Sequence, residues 1–169
     1  MNKLLYKYIG LSPVFILVQI FVLNEVLFAN LANPFLYITL IITMPKNTPN
    51  WFALAFAFFL GFTIDLFSSS IGYHSTACVF IAFLRPLIIR LIIPNNIFSE
   101  QEEVQMHKLG IKSFSIYAFF LIFLHHSILF LIEYFEISVL LKLLSKIIVS
   151  SIISFILICV TQLLFYKKK

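Results

Sequence analysis

Two adjacent histidines, His125 and His126, are the first residues that suggest chemistry, and the chemistry they suggest is metal binding. Neighbouring residues on a helix point about 100° apart, so these two rings do not readily chelate one ion. No cysteine or carboxylate three or four residues from both completes a ligand set. Cys78 and Cys159 lie inside apolar runs without a CxxC or CxxH partner, which marks them as small core residues rather than a disulfide or zinc ligands. Asp65, His126 and a serine can be drawn as a nucleophilic triad, yet no GxSxG turn presents the serine. Walker loops and GxGxxG turns are absent from the sequence as well. The expectation is a non-enzymatic protein without catalytic, cofactor-binding or metal-binding residues.

The elements that must position these side chains are membrane helices. Of 169 residues, 62% are apolar and 11% charged, against roughly 45–50% and 25% in soluble domains. A span with its turn takes about 25–28 residues, so the chain divides into about six and leaves no room for a separate soluble domain. The sequence therefore predicts an all-α membrane protein, a six-transmembrane-helix bundle in one domain over 1–169. The expected spans are about 9–28, 31–44, 51–67, 73–93, 113–132 and 146–165. The second is short: its reach of roughly 21 Å requires bilayer thinning, a start inside the interface or a re-entrant course. Trp51 stands where an interfacial anchor is expected. The first run resembles a signal peptide but lacks a small-residue cleavage site, which favours a retained span.

Polar punctuation supplies the rest of the organisation. Ser99 and Glu102 have capping-box spacing, with His107 and Lys108 ahead of Gly110, so a short surface helix is expected over about 99–108. Residues 137–146, with Lys142 and Lys146 one turn apart, suggest an interfacial lead-in to the last helix. With the N-terminus inside, Lys3, Lys7, Lys46, Arg90, Lys108, Lys112 and Lys167, Lys168 and Lys169 fall on the cytoplasmic side, and only Lys142 and Lys146 outside. That asymmetry predicts cytoplasmic N- and C-termini. The net charge of +5 is scattered rather than gathered in a basic stripe, so no nucleic-acid partner is expected.

Intramembrane charges cost about 2.5–3.5 kcal/mol each at a helix centre and need a reason. Arg85 precedes Pro86, which frees the carbonyl of Ala82 and offers acceptors; the alternative is that Arg85 snorkels to the inner headgroups. Asp65 lies one turn after Gly61, before the turn Ser68–Gly72. It differs from Arg85 in depth by some 15 Å, so the two are not expected to pair. Its partners are either groups at its own depth, such as Lys142, Lys146, His125 or His126, with Glu25 and Glu133 competing, or the backbone N–H groups of the turn itself. Gly61 lets a neighbouring helix approach closely.

The run Gly61-Phe-Thr-Ile-Asp65-Leu-Phe-Ser-Ser-Ser-Ile-Gly72-Tyr-His74-Ser, followed by Arg85-Pro86, resembles the G-x-x-x-D-x-x-x-x-x-x-G hairpin of the rod shape-determining MreD family. Asn33-Pro34-Phe35, Pro45, the length and the span count are similar to that family too. The resemblance implies a scaffold subunit of the bacterial inner membrane that binds MreC, a single-span protein. Through it the chain would join MreB filaments, the RodA polymerase and a class B penicillin-binding transpeptidase in peptidoglycan synthesis and cell-shape control. It also implies a fold similar to the substrate-binding subunits of energy-coupling-factor transporters. Gly61, Asp65, Gly72, His74, Arg85 and Pro86 are thereby candidate motif and partner-interface residues.

The alternative is such a vitamin-binding subunit itself, with an outward cavity lined by Asp65, His74, His126 and Glu133. Those proteins dock their coupling subunit through small residues on the first helix. Here Val14 through Glu25 carries bulky residues instead.

Overall fold

The computed structural model describes residues 3–25, 32–93, 102–134 and 140–164. Seven α-helices follow in chain order: α1 (Lys3–Val18), extended by a π-helical turn over Gln19–Leu23; α2 (Ile38–Thr43); α3 (Asn50–Ser68); α4 (Tyr73–Ile92); α5 (Met106–Leu109); α6 (Ile111–Glu133); and α7 (Leu140–Leu164). Five are long and apolar enough to cross a bilayer: Leu5–Leu23, Asn50–Ser68, Tyr73–Ile92, Ile111–Glu133 and Leu141–Leu164. The protein is thus an all-α, multi-span membrane protein. Three of the expected spans, 51–67, 73–93 and 113–132, match their helices within two residues, whereas the first and last helices begin nearer the N-terminus than expected.

Three expectations need correction. The second run, 31–44, is not one helix: within its described part only Ile38–Thr43 is helical, about 9 Å long, and the residues from Ala32 to Leu36 are not helical. Pro34 interrupts its start. Pro45 ends it, because the residue before a proline is pushed out of the helical region, and Met44 has φ −48° and ψ 151°. The surface helix expected over 99–108 is, among the described residues from Glu102 on, helical only from Met106 to Leu109. Ser99, its capping residue, lies outside the described residues, and Glu102 and Val104 pair with the end of the α2 segment instead. Lys46 N–H donates to Glu102 O at 3.2 Å and Val104 N–H to Thr43 O at 3.2 Å. Finally, the last helix begins at Leu140 rather than at about 146, so Lys142 and Lys146 of the expected lead-in lie within α7, while 137–139 lie outside the described residues.

The α2 segment runs the length of the bundle antiparallel to α1. At one end, where α3 turns into α4, Gln19 holds the backbone of Pro34 and Leu36 and Asn24 bonds Ser68. At the other, beside α5, Tyr8 holds Thr43 and Lys7 reaches Glu103. All six residues of α2 are buried.

Every neighbouring long element except α3 lends this segment polar side chains. Ser150 and Ser154 of α7 accept from the N–H groups of Asn33 and Phe35 at 3.0 and 2.8 Å. Gln19 accepts from Leu36 N–H at 2.8 Å and donates to Pro34 O at 3.0 Å. At the far end the carbonyls that α2 cannot satisfy internally receive donors in turn: Ile42 O from Tyr117 (2.8 Å), Thr43 O from Tyr8 (2.6 Å), and Met44 O and Pro45 O from the Arg85 guanidinium. Arg85 is 2% exposed and also donates to Tyr117 Oη at 3.1 Å. It neither snorkels nor uses the carbonyl of Ala82; its acceptors lie on another segment. The comparable gap that Pro13 opens in α1 is closed locally, where Ser12 donates to Ile9 O at 2.8 Å.

Stripping donors from these buried carbonyls should unfold the bundle in proportion. Tyr117→Phe leaves Ile42 O unpaired and Arg85→Met leaves Met44 O unpaired, each at a cost of about 1–3 kcal/mol, whereas Pro45 O keeps the Thr48 N–H and hydroxyl as donors. Arg90→Met, at an exposed site, should change stability by less than about 0.5 kcal/mol. Thermal unfolding in detergent, followed by circular dichroism, measures the order.

Candidate functional site

The motif residues Gly61, Asp65 and Gly72 meet at the α3–α4 turn. A Cβ on Gly61 would lie 2.5 Å from Ser75 Cα, 2.6 Å from Ser75 N and 2.6 Å from His74 O, so only glycine lets the first turn of α4 rest on α3. Four residues on, the Asp65 carboxylate reaches that same turn. Oδ1 accepts from His74 N–H at 2.9 Å and from Ser70 Oγ at 3.2 Å; Oδ2 accepts from Ser75 N–H at 2.9 Å and Ser75 Oγ at 2.8 Å.

Asp65 thus caps α4 from the preceding helix and sets a negative charge against the positive end of its dipole. Of the two open readings of Asp65, the backbone-capping one holds; Lys142, Lys146, His125 and His126 are not among its hydrogen-bond partners. Ser69 (φ 53°) and Gly72 (φ 94°) make the left-handed steps of the turn, and Gly72 meets nothing within 4 Å of a built Cβ, so its backbone angle alone calls for glycine. Arg85 and Pro86 are not part of this site. They lie toward the α5 end of the bundle, where Arg85 holds the end of the α2 segment.

Inward of the turn sits a buried cluster that contains His74. Tyr37 Oη lies 2.7 Å from His74 Nδ1 and 3.0 Å from His125 Nε2. Cys78 Sγ is 3.8 Å from the same His125 nitrogen. The Phe35 ring stacks on His126 with centroids 5.0 Å apart and meets His74 edge-on at 5.0 Å. His126 faces away from this triad of polar groups, engaging Ile122 O at 2.8 Å and Ser154 Oγ at 3.2 Å. The two adjacent imidazoles therefore serve different partners, as their angular separation requires. Among the described residues no three His, Cys, Asp or Glu side chains are arranged to hold a metal ion.

A cavity of about 380 Å³ opens beside this cluster at the turn end, lined by Asn24, Glu25, Asn33, Phe35, His74 and Glu133 among others. Asp65 and His126, expected in such a cavity, do not line it. Glu133 stands 4.0 Å from Lys146, whose ammonium donates to Tyr134 Oη at 2.9 Å and sits over the rings of Phe130 and Tyr134.

Tyr37, Phe35, Gln19, Tyr117, Ser150 and Ser154 are the structural polar and aromatic partners that sequence reasoning missed. The signal that was available for Gln19 is its polarity inside an apolar span; for the two serines it is their four-residue spacing on one face of α7. Searches of protein-family models, curated proteins and solved structures find no match for this chain.

Asp65→Ala should remove the cap of α4 at a cost of about 1–3 kcal/mol, and Gly61→Ala should cost a similar amount through backbone overlap. Ser70→Ala, which gives up the longest of the four bonds to Asp65, should cost about 0.5–1 kcal/mol. Melting curves of the three purified variants test the ranking.

Proposed function

We propose that this chain is a non-enzymatic scaffold subunit of the bacterial cytoplasmic membrane, binding the single-span protein MreC and helping to position peptidoglycan synthesis during cell elongation. MreB, RodA and the transpeptidase are then indirect partners. In this reading the buried α2 segment makes the sixth crossing, so both ends of the chain face the cytoplasm. The hairpin carries the resemblance to the MreD family, and one feature of its outer surface supports a helix-binding role. A groove of about 500 Å³ lies between α3 and α4, with Phe58 and Phe83 among its walls and the small side chains Ser75 and Thr76 in its lining. Small residues between bulky ones let a partner helix approach closely where lipid chains offer no hydrophobic competition. The contact at Gly61 fixes that groove, because it sets the separation of the two helices.

The transporter alternative has less in its favour. A cavity exists at the turn end, but two of the four polar residues assigned to it, Asp65 and His126, are engaged elsewhere.

Filling the groove tests the scaffold reading. Thr76→Trp should abolish co-purification of MreC and round the cells, whereas Leu91→Trp, on an exposed position of α4 outside the groove, should leave both unchanged. Normal MreC recovery and rod shape with Thr76→Trp would remove the groove as the interface.

A further inference from the structure

The cavity at the turn end has a chemistry of its own, independent of the scaffold reading. Its volume of about 380 Å³ lies within the range of small-molecule sites. Its charged lining is acidic: among the described residues Glu25 and Glu133 line it and no lysine or arginine does, the Lys146 ammonium standing 4.0 Å from Glu133 but outside the lining. A helix N-terminus beside a cavity ordinarily attracts an anion. Here that role is already filled, since Asp65 occupies the start of α4 with both carboxylate oxygens. An anionic ligand would meet the carboxylates of Glu25 and Glu133 and, among the described lining residues, no lysine or arginine.

His74 adds a direction to this charge pattern. It is 6% exposed and lines the cavity, and its Nδ1 is held by Tyr37. The Tyr37 hydroxyl has one proton to give, to His74 or to His125. If it donates to His125 Nε2, the proton of that ring lies on Nδ1, which is buried without a partner. If it donates to His74 Nδ1, His125 donates Nε2–H to Tyr37 and its bare Nδ1 is only an unused acceptor. Buried N–H groups without acceptors are the rarer defect, so the second arrangement holds. His74 then carries its proton on Nε2, the ring nitrogen for which no partner is present among the described residues. The cavity therefore offers one fixed N–H donor beside two carboxylate acceptors, with the aromatic side chains of Phe35 and Tyr73 in its lining.

We propose that this cavity binds an organic ammonium group bearing a neighbouring oxygen, with Glu25 and Glu133 receiving the ammonium and His74 Nε2–H donating to the oxygen. Aromatic faces assist by cation–π attraction. A free amino alcohol and an ethanolamine lipid headgroup share this chemistry.

Calorimetric titration of the full-length protein in detergent with ethanolamine, and with acetate as the charge-reversed probe, tests the proposal. Native mass spectrometry from nanodiscs containing phosphatidylethanolamine or phosphatidylglycerol supplies the lipid arm. Saturable ethanolamine binding supports a free amine, and selective retention of phosphatidylethanolamine supports a headgroup. In either case Glu25→Gln and Glu133→Gln should each weaken binding about tenfold, with wild-type melting temperatures certifying the fold. The proposal is overturned if neither ammonium source binds, if acetate or phosphatidylglycerol binds instead, or if both variants retain wild-type affinity.

Discussion

Inside a bilayer a peptide group has no water to bond, so any stretch of chain that leaves the helix must find every partner within the protein. The segment from Asn33 to Pro45 faces that requirement over most of the bundle's length, and the surrounding helices are organised around it. Its N–H groups at Asn33, Phe35 and Leu36 go to Ser150, Ser154 and Gln19, and its carbonyls at Ile42, Thr43, Met44 and Pro45 go to Tyr117, Tyr8 and Arg85. An arginine suits the last position because its planar fork spans two carbonyls that a lysine ammonium would meet as a point charge. No carboxylate is needed beside it, since the carbonyl ends of a helix carry partial negative charge.

The same logic, with the sign reversed, operates at the opposite end. The start of α4 exposes N–H groups, and a carboxylate receives them; the end of α2 exposes carbonyls, and a guanidinium supplies them. Asp65 and Arg85 are thus two solutions to backbone polarity at two depths. Each is complete without the other, which accounts for opposite charges in adjoining helices that do not form an ion pair. Gly61 makes the first solution geometrically possible, because Asp65 can reach Ser75 only if the backbones of α3 and α4 touch.

How far the sequence discloses this depends on the range of the interactions. Apolar runs bounded by Pro, Asn and Gly are local, and they locate α3, α4 and α6 closely. The turn chemistry of Ser68 to Gly72 is local too, and its short separation from Asp65 allows the capping reading to be written down beforehand. The second run defeats pattern reading, because its apolar composition says buried without saying whether buried as helix or as extended chain. The deciding information lies far along the chain: Ser154 is 119 residues from Phe35 and Tyr117 is 75 from Ile42. For the same reason Arg85 suggests carbonyl acceptors on its own helix, when the carbonyls it uses are 40 and 41 residues away.

Polar groups already consumed by the backbone cannot also meet a ligand without breaking the fold, so function has to be sought among those with capacity to spare. Asp65 and Arg85, the most conspicuous charges in the apolar sequence, are both committed to peptide groups; their substitution would disturb any activity through stability alone. Less conspicuous groups keep capacity: the second nitrogen of His74, the Glu25 carboxylate, and the Glu133 carboxylate, whose ion pair to Lys146 is 4.0 Å long. The Phe35 ring, fixed between His74 and His126 and anchored through its own N–H by Ser154, gives these groups a rigid floor. The irregular segment that demands so many internal hydrogen bonds is therefore also one that shapes the cavity, because it contributes Asn33, Pro34 and Phe35 to the lining.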